Sequence, residues 1–459
     1  MKNTARTMLY GALVTCLFFS CKQEEKSAIP WQPLFNGENL EGFVKKGGNA
    51  EYTVMDNSIV GTTKHNTPNT FLTTTKLYGD FILELEVKLD SSMNSGIQIR
   101  SNSIPQYMDG RVHGYQIEID PSNRAWSGGV YDEARRGWLH NVADNPKAQE
   151  AFDRKGWNHY RIEAIGDTLK TWVNGVPVAH LLDDKTAEGF IALQVHSIDK
   201  AQKAGTQVQW RNLNILTDNL SEYSKPSPLP LKQTKNQLTD GEKQAGWQLL
   251  WDGKTTNGWK GAKLDSFPDK GWEITDGTLK VLETGGGEST AGGDIITTDT
   301  YANFEFKVDF KITEGANSGI KYYVDPELNK GEGSAIGLEF QILDDARHPD
   351  AKLGNHEGSR TMGSLYDLIK ADENKLVYPI GEWNTAHIVA RDNKVTHYLN
   401  HQKIVEYERG SDAYKQLVNE SKYAKWPSFG MVEAGPILLQ DHGHEVYFKN
   451  IKILPISTK

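Results

Sequence analysis

Phe304-Glu305-Phe306-Lys307-Val308-Asp309-Phe310-Lys311-Ile312 alternates apolar and charged side chains without an exception over nine residues. Side chains on a β-strand point to opposite faces in turn, so this pattern predicts a strand with one buried and one wet face. Phe81-Ile82-Leu83-Glu84-Leu85-Glu86-Val87-Lys88-Leu89 repeats it, with Glu84, Glu86 and Lys88 on the second face. Leu169–Val173 and Val176–Ala179 flank Asn174-Gly175, a pair that accepts the positive φ of a tight hairpin turn, and Asn400-His401 stands in the same place in the second half. Trp210–Ile215 and Val446–Ile453 supply further strands. The chain therefore reads as all-β, with many short antiparallel strands forming two-sheet sandwiches or jelly rolls.

The two halves are copies. Leu34-Phe35-Asn36-Gly37 returns as Leu250-Trp251-Asp252-Gly253, Asn94-Ser95-Gly96-Ile97 as Asn317-Ser318-Gly319-Ile320, and Trp157-Asn158 as Trp383-Asn384. Asn174 returns as Asn400, and Leu193-Gln194-Val195-His196 as Leu439-Gln440-Asp441-His442. Ordered matches over two stretches of domain size imply a duplicated domain, and the growing offset places about 20 extra residues in the second copy near Gly410–Phe429. There the spacing of Tyr414, Leu417 and Val418 predicts a helix that, with Trp426, either caps the second domain's site or packs on the edge of its sheet. The expected layout is a signal segment over 1–20, a tether over 21–30, a first domain over 31–217, a linker with a short helix over 218–246, and a second domain over 247–457. Pro226, Pro228 and Pro230 stiffen that linker, and Thr239 with Glu242 predicts a capping box.

Composition narrows the function. With 51 Lys and Arg against 60 Asp and Glu, the chain carries a net charge of -9, which argues against a nucleic-acid partner. Its two cysteines, Cys16 and Cys21, both lie at the N-terminus and leave the folded body without a disulfide or a cysteine metal site. Lys2 and Arg6 precede an apolar run ending in Leu17-Phe18-Phe19-Ser20-Cys21. This resembles a bacterial lipoprotein signal of the Bacteroidetes type, which implies lipidation of Cys21 and a cell-envelope protein anchored at the outer membrane.

Polar residues of one parity on the strands are the first candidates for a site. Lys321 and Tyr323 share a face, as do Glu339 and Gln341; the first copy has Gln98 with Arg100 and Gln116 with Glu118. Two residues along a strand put such groups about 7 Å apart, a span suited to one sugar ring. Asp344, His348, Asp350, His356 and Arg360 crowd one irregular stretch that the first copy lacks, and Tyr366-Asp367 follows. Asp344, His348 and Asp350 leave a divalent metal open as a cofactor. In Gln440-Asp441-His442-Gly443-His444, His442 matches His196, and the two histidines read either as a chelating pair or as part of a tight turn. A retaining glucanase would need two carboxylates along one strand, and Glu118-Ile119-Asp120 runs into Pro121 instead.

Taken together, 34–43, Asn94–Ile97, Asn317–Ile320, Gly381–Asn384, Tyr398–Asn400 and Pro436–Gly443 resemble the 3-keto-disaccharide hydrolase domain, also described as a 3-keto-glucoside 1,2-lyase. The resemblance implies two concanavalin- or glucanase-like jelly rolls in tandem and cleavage of 3-keto-glycosides by 1,2-elimination or net hydrolysis. It also implies a partner dehydrogenase that makes the keto-sugar. Residue type and repeat position nominate Glu339 or His442 as base, Lys321 or Arg360 as partner of the developing oxyanion, and Tyr366 as acid. Tyr323, Gln341, Asp344, His348, Asn400, Gln440 and Trp426 are the expected substrate contacts. The second copy keeps the family pattern better and is the expected catalytic one. The competing reading is a lipid-anchored glycan binder without catalysis.

Overall fold

The computed structural model describes residues 29–90, 93–289 and 291–457, so the expected signal segment and the expected lipidation at Cys21 lie outside the described residues. Among the described residues no helix is long and apolar enough to cross a membrane.

Each copy folds as a sandwich of two antiparallel sheets. In the second, one sheet runs Trp272–Thr275, Thr278–Val281, Val446–Pro455, Phe304–Ile312, Asn384–Arg391, Lys394–Leu399, Gln402–Glu408, with Gln248–Leu249 added on Val446–Pro455. Its partner has five strands in the order Trp259–Gly261, Ile295–Thr297, Leu438–Leu439, Asn317–Asp325, Ile336–Leu343. The core lies between them. Phe304, Phe306, Val308, Phe310 and Ile312 meet Ile320, Tyr322, Leu338, Phe340 and Ile342 there. Each large apolar side chain taken fully from water contributes about 1.5–3 kcal/mol, so the alternation alone specifies which face of each sheet turns inward. The first copy repeats the plan with Phe81–Leu89 at the centre of one sheet and Ser95–Asn102 beside His113–Ile119 in the other.

The linker is more structured than its prolines predict. Lys232–Gln233 adds a parallel edge strand to Leu181-Leu182 of the first domain, and Asp240–Ala245 forms the expected helix under a complete Thr239–Glu242 capping box. The extra segment of the second copy is helical over Asp412–Asn419, with a further turn over Lys422–Lys425.

The second face of Phe304–Ile312 is not wet along its whole length. Asp309 is buried against the first domain, where Lys185 Nζ donates to it at 3.0 Å, and Asn450 Nδ2 donates to its other oxygen at 2.7 Å. Burial alone would raise this carboxyl, but the ammonium groups of Lys185 and Lys449 outweigh it and hold the group far below the usual range. Asp184 accepts a hydrogen bond from the buried Lys449, so the two sandwiches are joined by charged groups shielded from water.

Candidate active site

The site grows from Asn317-Ser318-Gly319-Ile320. Strands Asn317–Asp325 and Ile336–Leu343 pair with Lys321 opposite Glu339 and Gly319 opposite Gln341. Ile320, Tyr322, Phe340 and Ile342 point into the core, so Lys321, Glu339 and Gln341 line the other face. Each residue of the motif has a task. Asn317 Oδ1 accepts from Gln341 Nε2 at 3.3 Å, and Ser318 Oγ donates to the Gln440 carbonyl at 2.9 Å, fixing the neighbouring strand. Gly319 makes room: a Cβ there would sit 2.0 Å from Glu339 Oε1.

Loops 344–371 and 411–432 and the loop before Ile295–Thr297 surround this face. Lys321 and Glu339 are each only 4% exposed. Lys321 Nζ lies 3.7 Å from Glu339 Oε2, donates to Ala335 O at 3.2 Å and to Ser334 Oγ, and Ser334 in turn donates to Asp294. Burial lowers the Lys321 ammonium, but Glu339, Asp294 and Glu288 outweigh it, and the group is held above its ordinary value. Burial also pushes Asp294 up against the pull of Lys321. The same desolvation, only partly offset by Lys321 and Lys422, raises Glu339 to about 7. The arrangement is thus a permanent cation beside a carboxyl that can gain or lose a proton near neutral pH.

At the mouth, the Tyr366 hydroxyl donates to Asp350 Oδ2 at 2.9 Å, and the Lys422 ammonium sits 4.4 Å from its ring centre. Burial and the nearby Glu339 and Asp350 hold Tyr366 well above the ordinary phenol value, so it stays protonated. Gln440 Nε2 reaches the exposed Glu288 at 3.4 Å. The side-chain oxygens of Gln341 and Gln440 are buried without a hydrogen-bond partner. His442 and His444 stack at 5.6 Å, with His348 at 6.0 and 5.4 Å from them. Burial keeps His442 below the ordinary histidine value; for His348 burial acts together with the two neighbouring imidazoles.

The fold brings together Glu339, Lys321, Gln341, Gln440 and Tyr366, with His442 and His348 at the rim. It removes other nominees. A bulge after Tyr322 gives Tyr323 a φ of +49° and turns its ring into the core under Arg409, so it does not share a face with Lys321. Asn400 sits in a hairpin turn of the other sheet, where its amide binds Leu376 O and Asn384 Oδ1; it is scaffold. Asp344 accepts from the Gly315 and Ala346 backbone N–H groups and from Arg347, which fills its carboxylate. Asp350 is taken by Tyr366 and by Arg360 at 2.7 Å, so Asp344, His348 and Asp350 do not form a metal site. Arg360 bridges Asp350 and Asp367, which commits it to holding Tyr366 in place and not to an oxyanion. Trp426 donates to Leu328 O at 2.9 Å and packs on Tyr423, bracing the inserted segment.

Sequence reasoning passed over Asp294, Glu288 and Lys422. The first two were visible by subtraction: the loop 63–69 of the first copy has no acid, whereas its counterpart before Ile295 has Glu283, Glu288 and Asp294. The same comparison exposes the centre of the site. At the register of Lys321 and Glu339 the first copy has Gln98 and Gln116, joined amide to amide at 2.8 Å.

The sequence profile of the 3-keto-alpha-glucoside-1,2-lyase-like domain matches residues 30–216 and again 246–454. Over 272 residues the chain is 37% identical to a 3-keto-disaccharide hydrolase of Bacteroides thetaiotaomicron, a match covering 55% of this chain and 91% of that protein. It is also similar to the solved structure of a candidate glycosyl hydrolase from Parabacteroides distasonis, at 33% identity and a TM-score of 0.42, over 49% of this chain and all of that one. A carbohydrate-binding module from Bacillus subtilis, CBM66, matches at 16% identity and a TM-score of 0.26, over 38% of this chain and 93% of that one. With both halves matched, the chain belongs to the 3-keto-alpha-glucoside-1,2-lyase-like domain family, which it carries twice.

Proposed function

We propose that the second domain cleaves 3-keto-glycosides, either 3-keto-glucosides or 3-keto-disaccharides, by base-promoted 1,2-elimination, with net hydrolysis where water then adds. One observation carries the reading: Glu339, raised to about 7, lies 3.7 Å from the permanent cation of Lys321. The hydrogen on C2 of such a sugar and the ketone oxygen on C3 are neighbours, so the base and the oxyanion partner must be neighbours too.

Glu339 takes the C2 proton, and the C–H electron pair moves into the enolate, whose oxygen Lys321 stabilises. The enolate collapses to a C1–C2 double bond conjugated with the C3 ketone and expels the C1 oxygen with its bonding pair. Tyr366 protonates that leaving oxygen as alcohol, and the proton on Glu339 restores the tyrosine. Arg360 acts as a positioning residue through Asp350. Adding water across the new double bond gives the free 3-keto sugar. Such a substrate calls for a dehydrogenase that oxidises C3, and lipid on Cys21 would hold the chain at the cell envelope, on the outer membrane.

The test incubates the chain with a 3-keto-β-glucoside and records ultraviolet absorbance with alcohol release. Enone absorbance rising with alcohol is the expected result. Alcohol and 3-keto-glucose without the enone would assign direct or tightly coupled hydrolysis. Neither product, with glycan binding retained, would refute catalysis and leave a tethered glycan binder.

A further inference from the structure

Three imidazoles converge outside the Lys321–Glu339 pair. His442 and His444 flank Gly443, whose φ of +70° bends the chain so that both rings project to one side, 15° from parallel. The turn is fastened from behind: the Gly443 carbonyl accepts from the Thr284 and Gly286 N–H groups, and the His442 carbonyl from Gly287. Asp441 braces it further, with one oxygen accepting from Gly443 N and the other from Gly292 and Gly293. His348 arrives from a separate element, as the cap of the turn Pro349–Lys352. One ring nitrogen of each histidine lies within 4.8 Å of a ring nitrogen of the other two. The Nδ1 atoms of both His442 and His444 are buried without a hydrogen-bond partner. Buried polar atoms are nearly always paired, so two orphaned ring nitrogens within a cluster of three imidazoles call for a ligand.

We propose that His348, His442 and His444 bind one divalent first-row transition ion. Three neutral nitrogen donors without a carboxylate among them favour zinc or a neighbouring first-row metal over calcium or magnesium, which take oxygen ligands. Bonds of about 2.0–2.1 Å put tetrahedral ligand nitrogens about 3.4 Å apart, so the rings close in by at most ~1.5 Å. Three protein ligands leave a position open, as in catalytic rather than structural sites. The three residues are only partly buried, which leaves the ion a way in. In the first copy His196 remains, but Ile198 stands where the second histidine would be. The site therefore belongs to the second domain alone. Resting on the keto-glycoside reading above, the open position would receive a substrate oxygen and help Lys321 withdraw charge from the carbonyl.

The experiment strips the full-length chain with a chelator, then titrates it with Zn²⁺ by calorimetry and with Co²⁺ by visible absorption. One ion per chain is expected, with Co²⁺ giving the intense bands of a low-coordinate nitrogen site. His444→Ala and His348→Ala, on different elements, are each expected to weaken binding at least a hundredfold with circular dichroism unchanged. Zn²⁺ affinity that is unaltered in both variants, or no stoichiometric binding by the wild type, overturns the site. Turnover of a 3-keto-glucoside at full rate by the stripped chain overturns the catalytic role. Metal bound at the histidines without cleavage of any keto-glycoside would leave the metal site standing and sink the substrate assignment instead.

Discussion

Glu339→Gln tests the reasoning most directly, because the same carboxyl is assigned both an electrostatic cost and a chemical role. Its ordinary value of 4.5 rises to about 7 through burial. The native state therefore holds this proton more tightly than the unfolded chain, and between those two values it binds more protons than the unfolded state does. Stability then falls as pH rises through that window. One pKa unit corresponds to about 1.4 kcal/mol, so the window from pH 5 to pH 8 should carry a loss of roughly 2–3 kcal/mol assignable to Glu339. Glutamine keeps the shape and cannot titrate, so the variant should lack this slope. Chemical denaturation of both proteins at intervals between pH 5 and 8 reads it as the difference between two curves, which cancels the contribution of acids remote from the pair. The kinetic arm uses the same proteins: wild-type kcat/KM should rise with pH to a plateau above about 7, and the variant should lose 10²–10⁴-fold in turnover, the usual worth of a general base. Parallel stability curves would show that Glu339 is not raised. Turnover within tenfold of the wild type would show that it is not the base.

Gly319→Ala places a methyl group 2.0 Å from Glu339 Oε1, so the carboxylate must move; the fold should survive while kcat/KM drops at least tenfold, measured beside a thermal melt. Lys321→Met leaves Glu339 and Asp294 without their shared cation; an upward shift of the wild-type pH limb and a loss of about 3–5 kcal/mol on denaturation are expected. Gln116→Ala, at the matching register of the first domain, should leave turnover unchanged. Asp309→Asn strands Lys185 in the domain interface and should cost about 3–5 kcal/mol, with two separated calorimetric transitions in place of one.

Much of the architecture was legible because alternation is a direct record of burial: Phe304–Ile312 and Phe81–Leu89 are strands whose alternate apolar residues are buried, as read. Asn174-Gly175 and Asn400-His401 both form turns with positive φ, the second despite a histidine at +69°. What the pattern could not carry was the break in it. Tyr323 has the right parity to join Lys321, yet a bulge reverses it, and the first copy does the same at Arg100, with φ of +43°. The position of such a bulge depends on the partner strand, which the local sequence does not encode. Asn400 misled for a different reason. Duplication preserves scaffold as faithfully as chemistry, and the Asn384–Asn400 amide pair has its twin in Asn158–Asn174. Asp344 and Asp350 misled through composition: a dense run of acids near histidines resembles a ligand set, but backbone N–H groups and Arg347 had already filled the first carboxylate, and Arg360 with Tyr366 the second.

The divergence of the two copies separates what the fold needs from what the chemistry needs. Both keep the serine that pins the neighbouring strand, Ser95 to Gln194 O and Ser318 to Gln440 O. Both keep the glycine over which a long polar side chain lies, since a Cβ on Gly96 would strike Gln116 as one on Gly319 would strike Glu339. The geometry of the floor is therefore a property of the sandwich. Charge is not. The first copy fills that floor with a Gln98–Gln116 amide pair and moves its carboxylate to Glu118, where Asn94 and Arg124 hold it. A buried Lys–Glu pair rarely stabilises a fold relative to a neutral pair of the same shape, because desolvating two charges offsets most of their attraction. Packing gives no reason for the second copy to retain Lys321, Glu339 and the supporting Asp294 together in a site only a few per cent exposed. The proposed elimination does: a base poised near neutrality beside a fixed cation is a costly arrangement for a glycan-binding surface and the minimum one for removing a proton next to a ketone.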